Sequence, residues 1–266
     1  MTAFPRTMIE DLSVSRMVIG TNWFLGFSHT SKARDNAIKT TMTASKMADV
    51  LKVFLAAGVD TIMGLSSVPL LREGMDEASQ RTGLGMKLIS TPIVPTEDTQ
   101  EAWDETARLL DAEVGCGAAV CMPHMVTTDA LVDKVHRRIR RMDRIVAMIR
   151  QRGMIPGLST HTPEAPVFAD ESGLDVATYI QIYNAAGFLM HVEVDWVHRS
   201  IWDRKRPVIA IKPLAAGRLL PLVGLAFVWS TLRTQDMVAV GTSTPEEAAE
   251  VIELSLSLLE HRASTV

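Results

Sequence analysis

Lys212 closes the apolar run PVIAIK at residues 207–212. Desolvation at the end of such a run lowers the pKa of an amine. A lysine poised that way forms a Schiff base or polarises a carbonyl. The competing reading is a side chain that reaches out to solvent or pairs with a neighbouring acid. His124, in CMPH, and His161, in GLSTHTPE, join Lys212 as candidate catalytic groups. Either histidine can move a proton or polarise an oxygen, or serve only as a hydrogen-bonded structural residue. Asn22, Trp23 and Asn184 are candidate substrate contacts. Two further stretches, KPLAAGR ending at Arg218 and GTSTPE starting at Gly241, have the character of anion loops. The second opens a helix, whose free N–H groups attract phosphate. Arg218 would add a bidentate clamp, with Gly241, Thr242 and Ser243 as the cradle. Thr244 caps the helix in any case, and Glu246 and Glu247 weigh against an anion.

Absent residue types narrow the chemistry. No Asp or Glu falls firmly at a strand end, whereas a glycosidase needs two flanking carboxylates and a hard divalent metal needs oxygen anions. His124 and His161 have no evident third partner for zinc, so no metal is expected. The nucleophile elbow G-x-S-x-G does not occur. Gly83-Leu84-Gly85 precedes a strand, the wrong side for a dinucleotide-binding glycine loop.

These groups are positioned by a repeated pattern, a short apolar run followed by a helical stretch. Strands are predicted at 17–22, 59–64, 86–91, 118–123, 154–158, 179–183, 207–212 and 237–241. Helices are predicted at 44–57, 69–82, 99–113, 130–152, 163–170, 191–203, 220–231 and 245–260. Apolar runs with little alternation suit parallel strands covered on both faces. Eight such units over about 250 residues predict a single-domain α/β fold, a (β/α)8 TIM barrel over residues 1–266, with its active site at the C-terminal strand ends. Gly58 and Gly153 stand where helices end, and Thr162-Pro163 and Thr244-Pro245 where helices begin. The long polar connection at 23–43, with His29, Lys32, Arg34, Asp35 and Lys39, is a lid or binding-loop candidate, or a plain surface excursion.

Composition agrees with a packed globular chain. The 266 residues are 47% hydrophobic and 22% charged, which excludes disordered and collagen-like classes. The formal net charge is −4. The one basic run, Arg137, Arg138, Arg140, Arg141 and Arg144, reads as a solvated helix face beside Asp129, Asp133 and Asp143, so no nucleic-acid partner is expected. Cys116 and Cys121 read as opposite faces of one strand, unable to pair, in a reducing compartment. No signal core or membrane span is legible, which makes a cytoplasmic location and no membrane partner the expectation. The methionines read as packing residues. The stretch 190–202, with Trp196 and Trp202, is a candidate homo-oligomer interface or simply a helix packed on the barrel.

In order and spacing, AAGVDTIMG, CMPH, GLSTHTPE, YIQIYN, IKPLAAGRL and VAVGTSTPEEAAEVI resemble the aldo-keto reductase superfamily. The pair KPLAAGRL and GTSTPEEAAE is the most specific. The resemblance implies a barrel that binds NADP or NAD, with Ser159 and Gln181 holding the nicotinamide amide and the loop after Pro213 meeting the pyrophosphate. His124 matches the histidine of the reductase tetrad. The tetrad Asp falls on Met63 and the tetrad Lys on Thr91, the tetrad Tyr has no counterpart, and the stacking aromatic falls on Ile211. The resulting expectation is a barrel that acts on a small carbonyl or anionic compound with help from Lys212 and His124, as a lyase or isomerase. The alternatives are an NAD(P)H oxidoreductase with an altered proton donor, a non-catalytic ligand binder, or a metal-free hydrolase.

Overall fold

A computed structural model describes residues 3–264. β1 (Arg6–Ile9) and β2 (Leu12–Ser15) form an antiparallel hairpin. β3 (Met17–Gly20) is followed by α1 (Asn22–Leu25), α2 (Lys32–Thr41) and α3 (Ala44–Ala56). Next come β4 (Thr61–Gly64), α4 (Pro69–Thr82), β5 (Lys87–Ser90), α5 (Gln100–Gly115) and β6 (Ala118–Cys121). α6 (Met125–Leu131), β7 (Val132–Asp133), β8 (Arg138–Ile139) and α7 (Met142–Gln151) fill the next connection. β9 (Ile155–Pro156), β10 (Leu158–Ser159), α8 (Ala165–Glu171), β11 (Tyr179–Ile182) and α9 (Val194–Asp203) follow. The chain ends with β12 (Val208–Ile211), α10 (Pro221–Thr231), β13 (Met237–Gly241) and α11 (Pro245–Leu259).

The large sheet is parallel throughout, in the order β10-β11-β12-β13-β3-β4-β5-β6-β9. β9 and β10 are two halves of one stave parted at Gly157. β9 pairs with β6 and β10 with β11, so eight staves run round a TIM barrel. A Cβ on Gly157 would fall 2.8 Å from Met122 Cε, which is why this break carries glycine. Strand alternation divides the core. Val18, Ile89, Val120, Ile180, Ile209 and Met237 fill the barrel, while neighbours such as Met17, Ile19 and Tyr179 pack outward under the helices. Ile9, Leu12 and Val14 of the hairpin join the inner cluster and close the barrel floor.

Several sequence expectations need correction. The hairpin at 6–15 was not foreseen, because its register is set by a turn at Glu10 (φ 53°) rather than by long alternation. The helix expected at 130–152 is broken by the β7–β8 hairpin. Arg137 and Arg141 take left-handed backbone (φ 51° and 60°), and the Asp133 carboxylate accepts from the His136 N–H to hold the turn. The arginine run is therefore not a helix face. Arg137 pairs with Glu171, Arg138 with Asp133, and Arg141 with Asp98, while Arg144 stacks on Trp103. Cys116 caps α5 instead of lying on the strand, and both thiols are free. The 23–43 connection is mostly helical, as α1 and α2. α8 begins at Ala165 with Glu164 at the cap position, not Thr162. Among the described residues, no helix is long and apolar enough to cross a membrane.

Candidate active site at the barrel mouth

A cavity of about 680 Å³ opens at the C-terminal ends of the strands. Its floor is Met63, Ile180, Ile211 and Ala239, its rim carries Thr91, His124, Ser159, His161 and Lys212, and the α1–α2 segment covers it with Asn22, Trp23, Phe27 and His29. Trp23 packs on Gly241, where a Cβ would lie 2.8 Å from its Cδ1. Trp23 and Met63 line the cavity without filling it, and Phe24 is buried away from it.

Lys212 stands one residue beyond β12, with left-handed backbone (φ 59°). Its ammonium has no carboxylate partner among the described residues. Burial pushes its pKa from 10.5 down to about 8. The Nζ lies 3.3 Å from His29 Nε2, and Asn22 Nδ2 lies 3.5 Å from the same nitrogen. Lys212 and Asn22 are both donors, so His29 Nε2 is the acceptor and the His29 proton sits on Nδ1. Burial first, and then the Lys212 charge, hold His29 below its ordinary pKa. His29 itself is left-handed (φ 58°). The turn that presents His29 is tied by Asp35, which accepts from Ser28 N (2.8 Å) and Ser28 Oγ (2.6 Å).

His124 caps α6. Its Nδ1 accepts from Val126 N at 3.3 Å, which leaves the neutral ring's proton on Nε2. Burial lowers its pKa, Asp129 works against the shift, and Lys212 adds to it. His124 is therefore a neutral N–H donor. His161 is held further down, at about 3, chiefly by burial and then by Lys212, His124 and His29. Asp129 fixes the loop after β10 that carries it. Its carboxylate accepts from Thr160 Oγ1, from His161 N (3.1 Å) and from Thr162 N (3.4 Å).

The remaining candidates divide. Asn22, Trp23, Ser159, Gly241 and Thr242 line the cavity. Gln181 does not, because it follows inward-facing Ile180 and so points to the helix layer. Asn184 is buried and spends its amide on Phe188 N and O, closing its own loop. Arg218 turns away, bonding Ala215 O and stacking on Phe188 at 4.2 Å. Ser243 N and Oγ both donate to Glu247 Oε2 (2.7 and 2.9 Å), so the chain's own carboxylate occupies the expected anion cradle.

Of the cavity's lining residues Lys212 is the one Lys or Arg, and Glu247 and Glu250 line the α11 side, so an anionic group there would meet two carboxylates. Among the described residues no cluster of His, Cys, Asp or Glu could hold a metal ion. Sequence reading put Lys212, His124 and His161 in one site. It missed His29 and Asp129, since one sits mid-connection and the other acts through backbone N–H groups. The polar character of 23–43 was the only signal for His29.

No family model matches the sequence, and no curated protein matches it. Solved structures do share its fold. An aldo-keto reductase candidate from Pseudomonas aeruginosa superposes at a TM-score of 0.69 and 14% identity, over 96% of this chain and 95% of the other. The aldo/keto reductase from Brucella melitensis gives 0.61 and 13%, over 98% of each chain. An aldo-keto reductase from a Medee basin deep-sea metagenome library gives 0.62 and 9%, over 95% and 92%. The chain thus has an aldo-keto-reductase-like TIM barrel. Within it, Met63 and Thr91 line the cavity where the resemblance implies the tetrad acid and lysine.

Proposed function

We propose that the protein is an enzyme that uses Lys212 as an amine nucleophile on a small carbonyl compound, in a lyase- or isomerase-type reaction. The observation that carries this reading is a partly buried lysine, without a carboxylate partner among the described residues, hydrogen-bonded to a histidine that lines the same cavity. An amine with a pKa of about 8 is about one-tenth unprotonated at pH 7, roughly 300-fold more than an ordinary lysine.

His29 contacts Lys212, and His124 lines the same cavity. His29 takes a proton from the Lys212 ammonium, and the freed amine attacks the carbonyl carbon. His124 Nε2–H donates to the carbonyl oxygen as charge develops there. The proton in excess on the nitrogen passes to the alkoxide to give the carbinolamine, whose hydroxyl leaves as water once protonated by His29, and an iminium remains on Lys212. The iminium draws electrons from the adjacent carbon. A C–H bond there, or a C–C bond one atom further along, breaks to give an enamine, and the released proton returns to His29. Reversal of these steps and hydrolysis release the product. Neutral His161 supplies a polar, uncharged wall.

Borohydride trapping tests the reading. Pyruvate or propanal with borohydride should add one secondary amine at Lys212, located by peptide mass, and Lys212→Met should abolish it. An untouched Lys212 sinks the proposal. The aldo-keto reductase fold favours a second reading, a nicotinamide oxidoreductase whose proton donor is His124. Titration with NADPH and NADH, followed by tryptophan fluorescence, separates the two. Saturable micromolar binding supports the oxidoreductase, and no binding at millimolar levels supports the lysine chemistry.

A further inference from the structure

The polar side chains of the cavity gather around Lys212, with His29, His124, Thr91 and Ser159. The same cavity is lined along the loop after β12, whose residues 213–221 read PLAAGRLLP. Pro213, Leu214, Ala216, Leu219, Leu220 and Pro221 line it there, and none carries a polar side chain. Arg218, the loop's one polar side chain, does not line the cavity and stacks on Phe188. The loop's backbone donors are spent as well. Ala215 N bonds to Lys212 O and Gly217 N to Leu214 O (both 2.9 Å), while Arg218 N bonds to Ala215 O and Leu219 N to Leu214 O (both 3.3 Å). Pro213 and Pro221 have no N–H to offer. A loop that cradles an anion turns such groups towards its ligand. This one presents aliphatic carbon instead.

A second observation concerns the opening. Leu220 is 73% exposed, and Phe27 and Ile93, which line the same cavity, are 41% and 50% exposed. Large apolar side chains left in water beside a cavity mark a place that binds apolar surface. The lining carboxylates, Glu247 and Glu250, are exposed on α11, and Glu247 holds Ser243 N and Oγ. They keep their water and disfavour an anionic tail.

We propose that the substrate is a carbonyl compound with an uncharged apolar tail, a medium-chain aliphatic ketone or aldehyde. Its oxygen end lies at Lys212, and its tail follows the 213–221 loop out to Leu220. The inference rests on the carbonyl reading for the reacting end, and on the cavity walls alone for the tail. A polyhydroxylated chain is disfavoured, because its hydroxyls would give up water against side chains that form no hydrogen bond.

Equilibrium binding of 2-butanone, 2-hexanone and 2-octanone tests the tail, read by tryptophan fluorescence with Trp23 in the cavity wall. Affinity should rise about three- to fourfold for each added methylene that leaves water. Erythrulose, with the four carbons of 2-butanone but three hydroxyls, should bind more weakly than 2-butanone. The L219S/L220S double variant should lose about tenfold more affinity for 2-octanone than for 2-butanone. A flat series in the parent protein, tighter binding of erythrulose, or a gain per methylene unchanged in the double variant would each overturn the proposal. Borohydride trapping of 2-butanone at Lys212 is the separate arm. Trapping without a chain-length gain leaves the carbonyl reading standing and removes the tail. A chain-length gain without trapping keeps the apolar wall and removes the lysine chemistry.

Discussion

Replacing Lys212 by methionine should stabilise the fold while abolishing its chemistry. Below pH 8 the native protein holds a partly buried ammonium that the unfolded chain leaves in water. The native pKa is about 8 and the ordinary value 10.5, so between these limits the unfolded chain binds the extra proton. Stability therefore rises with pH across that window. The penalty is fully present below pH 8 and is gone by about pH 10.5. Taken at face value it is about 3 kcal/mol at pH 7 and below about 1 kcal/mol at pH 10. Water entering the open cavity reduces the first figure, so a gain of about 1–3 kcal/mol for Lys212→Met at pH 7 is expected. Met matches the length of the stem, and His29 Nε2 keeps Asn22 as a donor. Urea unfolding of parent and variant at pH 7 and pH 10 measures both gaps. A variant less stable than the parent at pH 7, or a gap that does not shrink at pH 10, would refute the reasoning.

Three further outcomes follow from the same site. His161 stays neutral in the native state down to about pH 3, whereas its unfolded form protonates near 6.5, so stability falls as pH drops below 6.5. His161→Gln should remove about 1–2 kcal/mol of the loss between pH 7 and pH 5, after allowance for screening, as read from urea midpoints. An unchanged acid limb would contradict the shift. Asp129→Ala leaves the N–H groups of His161 and Thr162 and the Thr160 hydroxyl without their acceptor, at a cost of about 2–3 kcal/mol, and should slow trapping at Lys212. Gly64→Ala puts a Cβ 2.1 Å from Thr21 Oγ1 and 3.0 Å from its Cβ, and should cost about 1–3 kcal/mol with partial rescue by Thr21→Ala. Full stability in the single variant would mean that Thr21 moves freely.

The barrel was legible because each unit repeats the same apolar run and amphipathic helix, and burial on both faces leaves no other register open. Seven of the eight long helices needed only boundary changes. Residues 130–152 failed because apolar positions at helical spacing from Ile145 to Ile149 were extended backwards through KVHRR. That segment has little to bury and is bent by two left-handed arginines. At the site, residues shortly past a strand end were legible, as with Lys212 directly after β12 and His124 three residues after β6. Gln181 was assigned to the wrong face, since one residue of register separates the cavity from the helix layer. Arg218 and Asn184 were misplaced for another reason. Each satisfies a local loop through Phe188, a contact no spacing rule anticipates. Glu247 weakened the anion reading in sequence, and the structure supplies the mechanism by bonding it to Ser243.

The lysine's reactivity depends on what faces it as well as on where it sits. Met63 lines the cavity near the end of β4, where the resemblance implies an acid, and no strand residue among the cavity's lining supplies a carboxylate. Met63→Asp tests that dependence directly. A carboxylate on the order of 10 Å from the amine, in a medium of intermediate dielectric, stabilises the ammonium by roughly 1.5 kcal/mol, about one pH unit. The Lys212 pKa should then move back up towards its ordinary value. Trapping at pH 7 should slow about tenfold and recover as pH is raised past the new pKa, with the plateau rate preserved. The pH profile separates this from simple damage to the pocket, which would lower the plateau and leave the midpoint in place. An unmoved midpoint would mean that solvent, not the missing counter-ion, sets the charge of Lys212. The chemistry would then have to be assigned to the histidines instead.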